Sequence, residues 1–134
     1  MIVFCTHCWT ETNSSLSRCP KCGADLALDQ RSYEEKLVGA LDHPLPEARV
    51  RTCWLLGTNR IQVASEKLME MAQEDPDLFV RHAAVQALGY LRAPDIVPFL
   101  EELAKQDDRW MVREIRDSLE RLKVEANASA GDRY

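Results

Sequence analysis

The stretch EDPDLFVRHAAVQALG, residues 74–89, decides the fold, because it recurs in altered form on both sides of itself. Upstream by 32 residues stands DHPLPEARVRTCWLLG, 42–57, and downstream by 32 stands QDDRWMVREIRDSLER, 106–121. Pro44 falls on Pro76, Arg49 on Arg81 and then Arg113, Leu56 on Leu88, and Gly57 on Gly89, without a gap. Ala40, Ala72 and Ala104 keep the same spacing just ahead of each copy. Self-similarity at a fixed period of this length is the mark of stacked supersecondary units.

Each unit reads as two helices. The first members span about 32–42, 62–74 and 95–106, with Leu37, Leu41, Leu68, Met71, Leu100 and Leu103 at three- and four-residue steps. The second members span about 46–56, 77–91 and 109–123. Pro44 stops the first helix, since the residue before a proline resists the α region. Asp75 and Pro76 do the same and restart the next: the carboxylate can accept from orphan amides, and proline is tolerated in a first turn. Pro98 must likewise fall in a first turn. Gly57 reads as a C-cap. A single helix pair cannot bury its apolar side, whereas stacked pairs share a continuous core.

The second helices resemble HEAT-like repeats of the phycobilisome-lyase type, carried by VRHAAVQALG (80–89) and more loosely by ARVRTCWLLG (48–57) and VREIRDSLER (112–121). The resemblance implies a mainly α fold, a three-repeat α-solenoid over 32–123 with units at about 32–60, 61–92 and 93–123. It speaks for architecture more than for chemistry. The last copy has Arg116, Asp117 and Glu120 where the second has Ala84, Val85 and Leu88, so it reads as the terminal cap. The first copy keeps Cys53 and Trp54 in columns that are Asp117 and Ser118 in that cap, an apolar end that something should cover. Residues 124–134, VEANASAGDRY, are small and polar without an apolar period and read as a disordered tail.

Ahead of the repeats, residues 5–22 read CTHCWTETNSSLSRCPKC. Two C-x-x-C steps, Cys5/Cys8 and Cys19/Cys22, supply four thiolates for a closed tetrahedral site with metal–sulfur bonds near ~2.3 Å. A disulfide framework or a redox dithiol would need an oxidising compartment or a βαβ setting, and neither is indicated. With four thiolates at hand, His7 reads as an exposed residue of the turn, and Trp9 as a packing residue. CTHC and CPKCG resemble the knuckles of zinc ribbons, which implies a small β-hairpin module at 1–27. Trp9 departs from that pattern, standing where glycine is common. The metal expected is zinc, with iron as the alternative that a tetrathiolate cage also accepts.

The 134 residues carry a formal charge of −5, 46% hydrophobic and 29% charged side chains, which disfavours a nucleic-acid partner and membrane insertion. MIVFC is no signal peptide, so the expected location is the cytoplasm and the two Asn-x-Ser sequons carry no meaning. No P-loop, dinucleotide-binding or nucleophile-elbow pattern occurs. No His-Glu dipeptide occurs either, so the resemblance does not extend to the HEAT-like iron hydroxylases. His43 and His82 have no partner at metal-ligand spacing, and Cys53 reads as a small buried hydrophobe.

These readings converge on a non-enzymatic monomeric adaptor that binds another protein. The candidate partner surface is the pairs Leu78–Phe79 and Trp110–Met111, which open the second helices of copies two and three, with the arginine column Arg49, Arg81 and Arg113. The competing role for that column is to pair with Asp75 and Asp107 and orient adjacent repeats. Two other classes stay open: an accessory factor for a chromophore- or metal-bearing protein, implied by the lyase-type resemblance, and nucleic-acid binding through the ribbon. The ribbon is expected to cap the first helix pair through Trp9 or Leu16.

Overall fold

In a computed structural model of the chain, which describes residues 1–27, 31–106 and 109–131, the repeats form three consecutive helix pairs behind a small hairpin. The first pair is α1 (Tyr33–Gly39) with α2 (Pro46–Thr58), the second α3 (Ser65–Glu74) with α4 (Leu78–Leu88), and the third α5 (Ile96–Ala104) with α6 (Arg109–Gly131). Short 3-10 turns, Ala40–Asp42 and Gln62–Ala64, extend α1 and precede α3. Strands β1 (Ile2–Phe4) and β2 (Glu11–Asn13) pair antiparallel, Val3 opposite Thr12. Among the described residues no helix is long and apolar enough to cross a membrane.

Local chemistry sets the boundaries. The Ser32 hydroxyl accepts from the Glu35 amide at 3.1 Å and starts α1. α4 is capped by Asp77, whose carboxylate accepts from the Phe79 and Val80 amides at 2.8 and 3.2 Å. The cap is therefore two residues beyond the expected Asp75, which instead accepts from the Asp77 amide at 2.9 Å. Pro98 is the third residue of α5, where its missing N–H costs nothing.

One apolar cluster runs through all three pairs, from Leu37 and Leu41 through Leu56, Leu68, Leu88 and Leu100 to Met111 and Ile115. α4 lies at its centre, packed against α2, α3 and α6. The 32-residue columns are also visible in the glycines. A Cβ on Gly57 would lie 2.8 Å from the Ala87 Cα, and one on Gly89 would lie 2.9 Å from the Ser118 Cβ. Gly57 sits inside α2, so it is no C-cap; it lets α4 approach α2, and Gly89 does the same for α6. The left-handed residue that turns the chain out of the first pair is Arg60, at φ 54°.

Two further expectations change. In copy three the buried stripe is Met111, Ile115 and Ser118, one position off the column, and Val112 is only half-buried. Among the described residues α6 is covered chiefly by α4 and α5, so a narrow buried stripe suffices and the repeat register can slip. The tail expected to be disordered from 124 instead continues α6 to Gly131, and residues 132–134 lie outside the described residues. Composition misread it because Glu125 is fixed from outside the segment, by Arg60 at 2.6 Å and Arg92 at 3.8 Å.

Candidate metal centre and open helical face

The hairpin and the turn that follows build two matching knuckles. In the first, the Trp9 amide donates to the Cys5 carbonyl at 2.8 Å and the Cys5 amide to the Thr10 carbonyl at 3.0 Å. In the second, the Gly23 amide donates to the Cys19 carbonyl and the Cys19 amide to the Ala24 carbonyl, both at 2.9 Å. The residue after each second cysteine must turn left-handed: Gly23 has φ 77° and Trp9 has φ 58°. Glycine does this freely, whereas any L side chain is strained there by roughly 1–2 kcal/mol.

The four sulfurs lie within 4.8 Å of one another. Cys5 to Cys22 and Cys8 to Cys19 are both 3.6 Å, and none of the cysteines is in a disulfide. A tetrahedron with metal–sulfur bonds of about 2.3 Å has edges of about 3.8 Å, so the residues present fit a tetrathiolate site. The thiols cannot all ionise side by side without a cation. Cys8 is drawn down to about 6, first by the Thr10 hydroxyl at 3.2 Å and then by the Thr10 amide. The Cys22 and Lys21 amides lower Cys19. At Cys22 the Ala24 amide pulls downward, but burial and the sulfurs of Cys5, Cys8 and Cys19 outweigh it and push the thiol up to about 12. A divalent ion relieves that conflict. The four cysteines could hold one ion in a closed cage.

Trp9 and Phe4 both rest on His43, with ring centroids at 5.1 and 4.7 Å. The His43 Nδ1 accepts from the Leu45 amide at 3.1 Å, and burial together with the Arg49 guanidinium pushes its pKa down, which favours the neutral ring. The hairpin therefore seats on the turn ahead of α2, through Trp9 as expected but with Phe4 in place of Leu16, which stays exposed. The expected cover over Cys53 and Trp54 is not what forms. Cys53 is buried within the helical core, and its thiol is pushed up to about 12 by that burial. Trp54 is 53% exposed and donates from Nε1 to the Gln86 Oε1 at 3.1 Å, one step along its own column. α1 and its 3-10 turn already pack on α2, leaving the hairpin only the corner.

The arginine column splits. Arg49 makes a two-point pair with Asp75, at 3.1 and 3.2 Å, and also donates to the His43 carbonyl at 2.9 Å. Arg81 donates to the Asp75 carbonyl at 2.8 Å, the bond of Arg49 to His43 moved by one repeat. Both brace the turn inside their own pair, and Arg49 also links the first pair to the second. Arg113 is exposed on α6, and its expected counterpart Asp107 lies outside the described residues. Of the bulky pairs, Met111 is fully buried and Leu78 packs against the core, which removes Met111 from the candidate partner surface. Phe79 and Trp110 remain exposed, at 67% and 39%, and meet edge to face at 5.6 Å.

α4 and the turn after it present an outer stripe at Phe79, His82, Gln86 and Tyr90, and both neighbouring second helices contribute to it. Trp110 stacks on His82 at 4.1 Å, Arg121 lies 4.5 Å over the Tyr90 ring, and Trp54 binds Gln86. His82 also faces Glu114 at 3.4 Å, whose carboxyl burial raises. The second helices thus form one open face carrying Trp54, Phe79, Tyr90 and Trp110. Sequence reasoning missed Trp54 and Tyr90 as members; the 32-residue column joining Trp54 to Gln86 is the signal that would have found them.

A mainly helical array of repeated pairs, with a four-cysteine module at one end, defines a helical repeat protein. A family model of HEAT repeats matches residues 34–120, more than half of the chain, and the chain belongs to that family. No curated protein and no solved structure matches it.

Proposed function

We propose that the chain is a small non-enzymatic adaptor, which binds another protein on the open face of its second helices and carries zinc as a structural ion in the hairpin module. The observation that supports it is the aromatic content of that face: two of the three tryptophans stand there with Phe79 and Tyr90, and exposed aromatic anchors are typical of protein interfaces. HEAT repeats commonly mediate protein–protein interactions. The closed cage leaves no coordination position for a substrate, which favours a structural ion over a catalytic one. The free thiols of the module suit a reducing compartment such as the cytoplasm.

The test places a photo-crosslinking side chain at Phe79 in the full chain and, as a control, at Val63, which is exposed at the start of the second pair. The adaptor reading expects a discrete protein captured from Phe79 and not from Val63 in extracts of the source cell. Equal capture from both positions, or none from Phe79, counts against it. Elemental analysis should return about one equivalent of zinc; an iron spectrum would replace the metal without changing the cage.

A further inference from the structure

The open face carries a recess. Between α2 and α4 lies a slot of about 350 Å3, walled by Trp54 and Tyr90, floored by Gly57 and Ala87, and rimmed by Thr58 and Gln86. Its floor lies where Gly57 lets α4 come closest to α2. Both walls are fixed: Gln86 holds the Trp54 indole N–H, and the Arg121 guanidinium lies over the Tyr90 ring. Two aromatic walls over an apolar floor suit one apolar side chain.

The edge beside Tyr90 is cationic. Arg60 donates to the Tyr90 carbonyl at 3.3 Å, and both Arg60 and Arg92 converge on a single carboxylate, Glu125. Arg121, on the same side, faces the half-buried Glu114 at 3.8 Å, a carboxylate it shares with His82. Beside Tyr90, then, three guanidinium groups, Arg60, Arg92 and Arg121, are paired with two carboxylates, Glu125 and Glu114, in a chain whose formal charge is −5. Arg92 is the most exposed of them.

We infer that this slot receives an apolar anchor side chain from a partner protein whose neighbouring residues are acidic, the carboxylates lying against Arg92 and Arg60. The assignment rests on the adaptor reading and supplies the chemistry of its partner. Each repeat contributes: Trp54 and Arg60 come from the first, Tyr90 and Arg92 from the second, and Arg121 and Glu125 from the third. A polyanion such as a nucleic acid is disfavoured, because it needs a long run of cations and meets a net-negative molecule beyond the slot. A short acidic segment needs only the local excess.

The probe is a labelled synthetic peptide with one leucine flanked by glutamates, titrated into the full metal-loaded chain by fluorescence anisotropy. Its controls carry alanine for the leucine, or lysines for the glutamates. The expected result is that either control binds at least about tenfold more weakly. Trp54→Ala should weaken the parent peptide by about tenfold or more, and Arg92→Glu by several-fold with loss of the salt dependence. Arg92→Glu changes an exposed side chain, so it tests the assignment even where Trp54→Ala disturbs folding. Equal binding of the lysine control, indifference to both substitutions, or tighter binding of a single-stranded oligonucleotide overturns the assignment. If Phe79 captures a partner whose binding ignores both substitutions, the slot falls and the adaptor reading stands. If the peptide responds as expected while Phe79 captures nothing, the slot stands and that reading falls.

Discussion

The hairpin module and the helical array lie on one chain but are held by different means. In residues 1–27 the buried side chains are two cysteines, Cys5 and Cys19, whereas the array buries its leucines, isoleucines, valines and alanines in one cluster across three pairs. Too few apolar atoms leave water in the module to offset its chain entropy, so an ion held by the four cysteines is the expected source of its order. The array needs no ion, because each pair covers the apolar side of the next. What joins them is small: two aromatic rings on His43 and one guanidinium of Arg31 near the Thr6 carbonyl at 3.5 Å. Stability can be removed from one region while most of it remains in the other.

The strongest way to sharpen that contrast is Cys19→Ser, or chelation of the metal. Residues 1–27 should lose their amide dispersion in NMR spectra while helical circular dichroism is nearly unchanged. The array's melting temperature should drop by only a few degrees, the worth of two aromatic contacts of about 0.5–1.5 kcal/mol each. Collapse of the whole helical signal would break the contrast. Within the array, Leu88→Ala opens a cavity in the core at the C-terminal end of α4 and should cost about 2–5 kcal/mol by denaturant melting, with metal content unaffected. Gly57→Ala forces α2 and α4 apart and should cost about 1–3 kcal/mol by the same measure; a neutral result would mean the two helices can slide.

Trp9→Gly sets local strain against the joint. It should relieve roughly 1 kcal/mol of left-handed strain in the knuckle, hold metal as well as the parent, and loosen the module's tumbling in NMR relaxation. Tighter metal binding with unchanged tumbling would mean that Trp9 contributes nothing to docking. The smallest effect belongs to Glu125→Gln, which removes the acceptor shared by Arg60 and Arg92 and should lower melting by about 1–2 °C at low salt only. Arg60's hydrogen bonds hold the Glu125 carboxyl below its ordinary value of 4.5. A folded-state pKa below the unfolded one stabilises the protein above about pH 4.5 and fades as pH falls through the lowered value, so parent and variant should converge in acid.

The repeat period and the cysteine spacing were legible because each is a regularity that few other structures share. The period assigned the pairs, their boundaries to within a few residues, and the bracing role of Arg49. It misjudged positions where a neighbour outside the period decides the outcome. Gly57 looks like a helix end in one dimension, but it is required by Ala87, which lies 30 residues away. Met111 is buried and Val112 half-buried, the reverse of what the period predicts from Phe79 and Val80. Val124 to Gly131 lacks an apolar period, yet the segment is helical beside the Arg60 contact at Glu125, from another repeat. Metal-ligand spacing pointed to the cage, whereas the seat of the module on His43 left no mark in the sequence.

The glycine column has a consequence for assembly. Stacked pairs of this kind are head-to-tail by construction, and a head-to-tail contact that does not close on itself propagates into a filament. Gly57 and Gly89 are the notches that admit the next second helix, and in the third copy the same column holds Arg121. Its guanidinium turns back toward α4, onto the Gln86 carbonyl and the Ser118 hydroxyl, at 3.1 and 3.2 Å, so a long side chain replaces the bare glycine of the two earlier notches. Arg121→Gly would restore the glycine of the two earlier notches, and the expected outcome is increased self-association, read by light scattering.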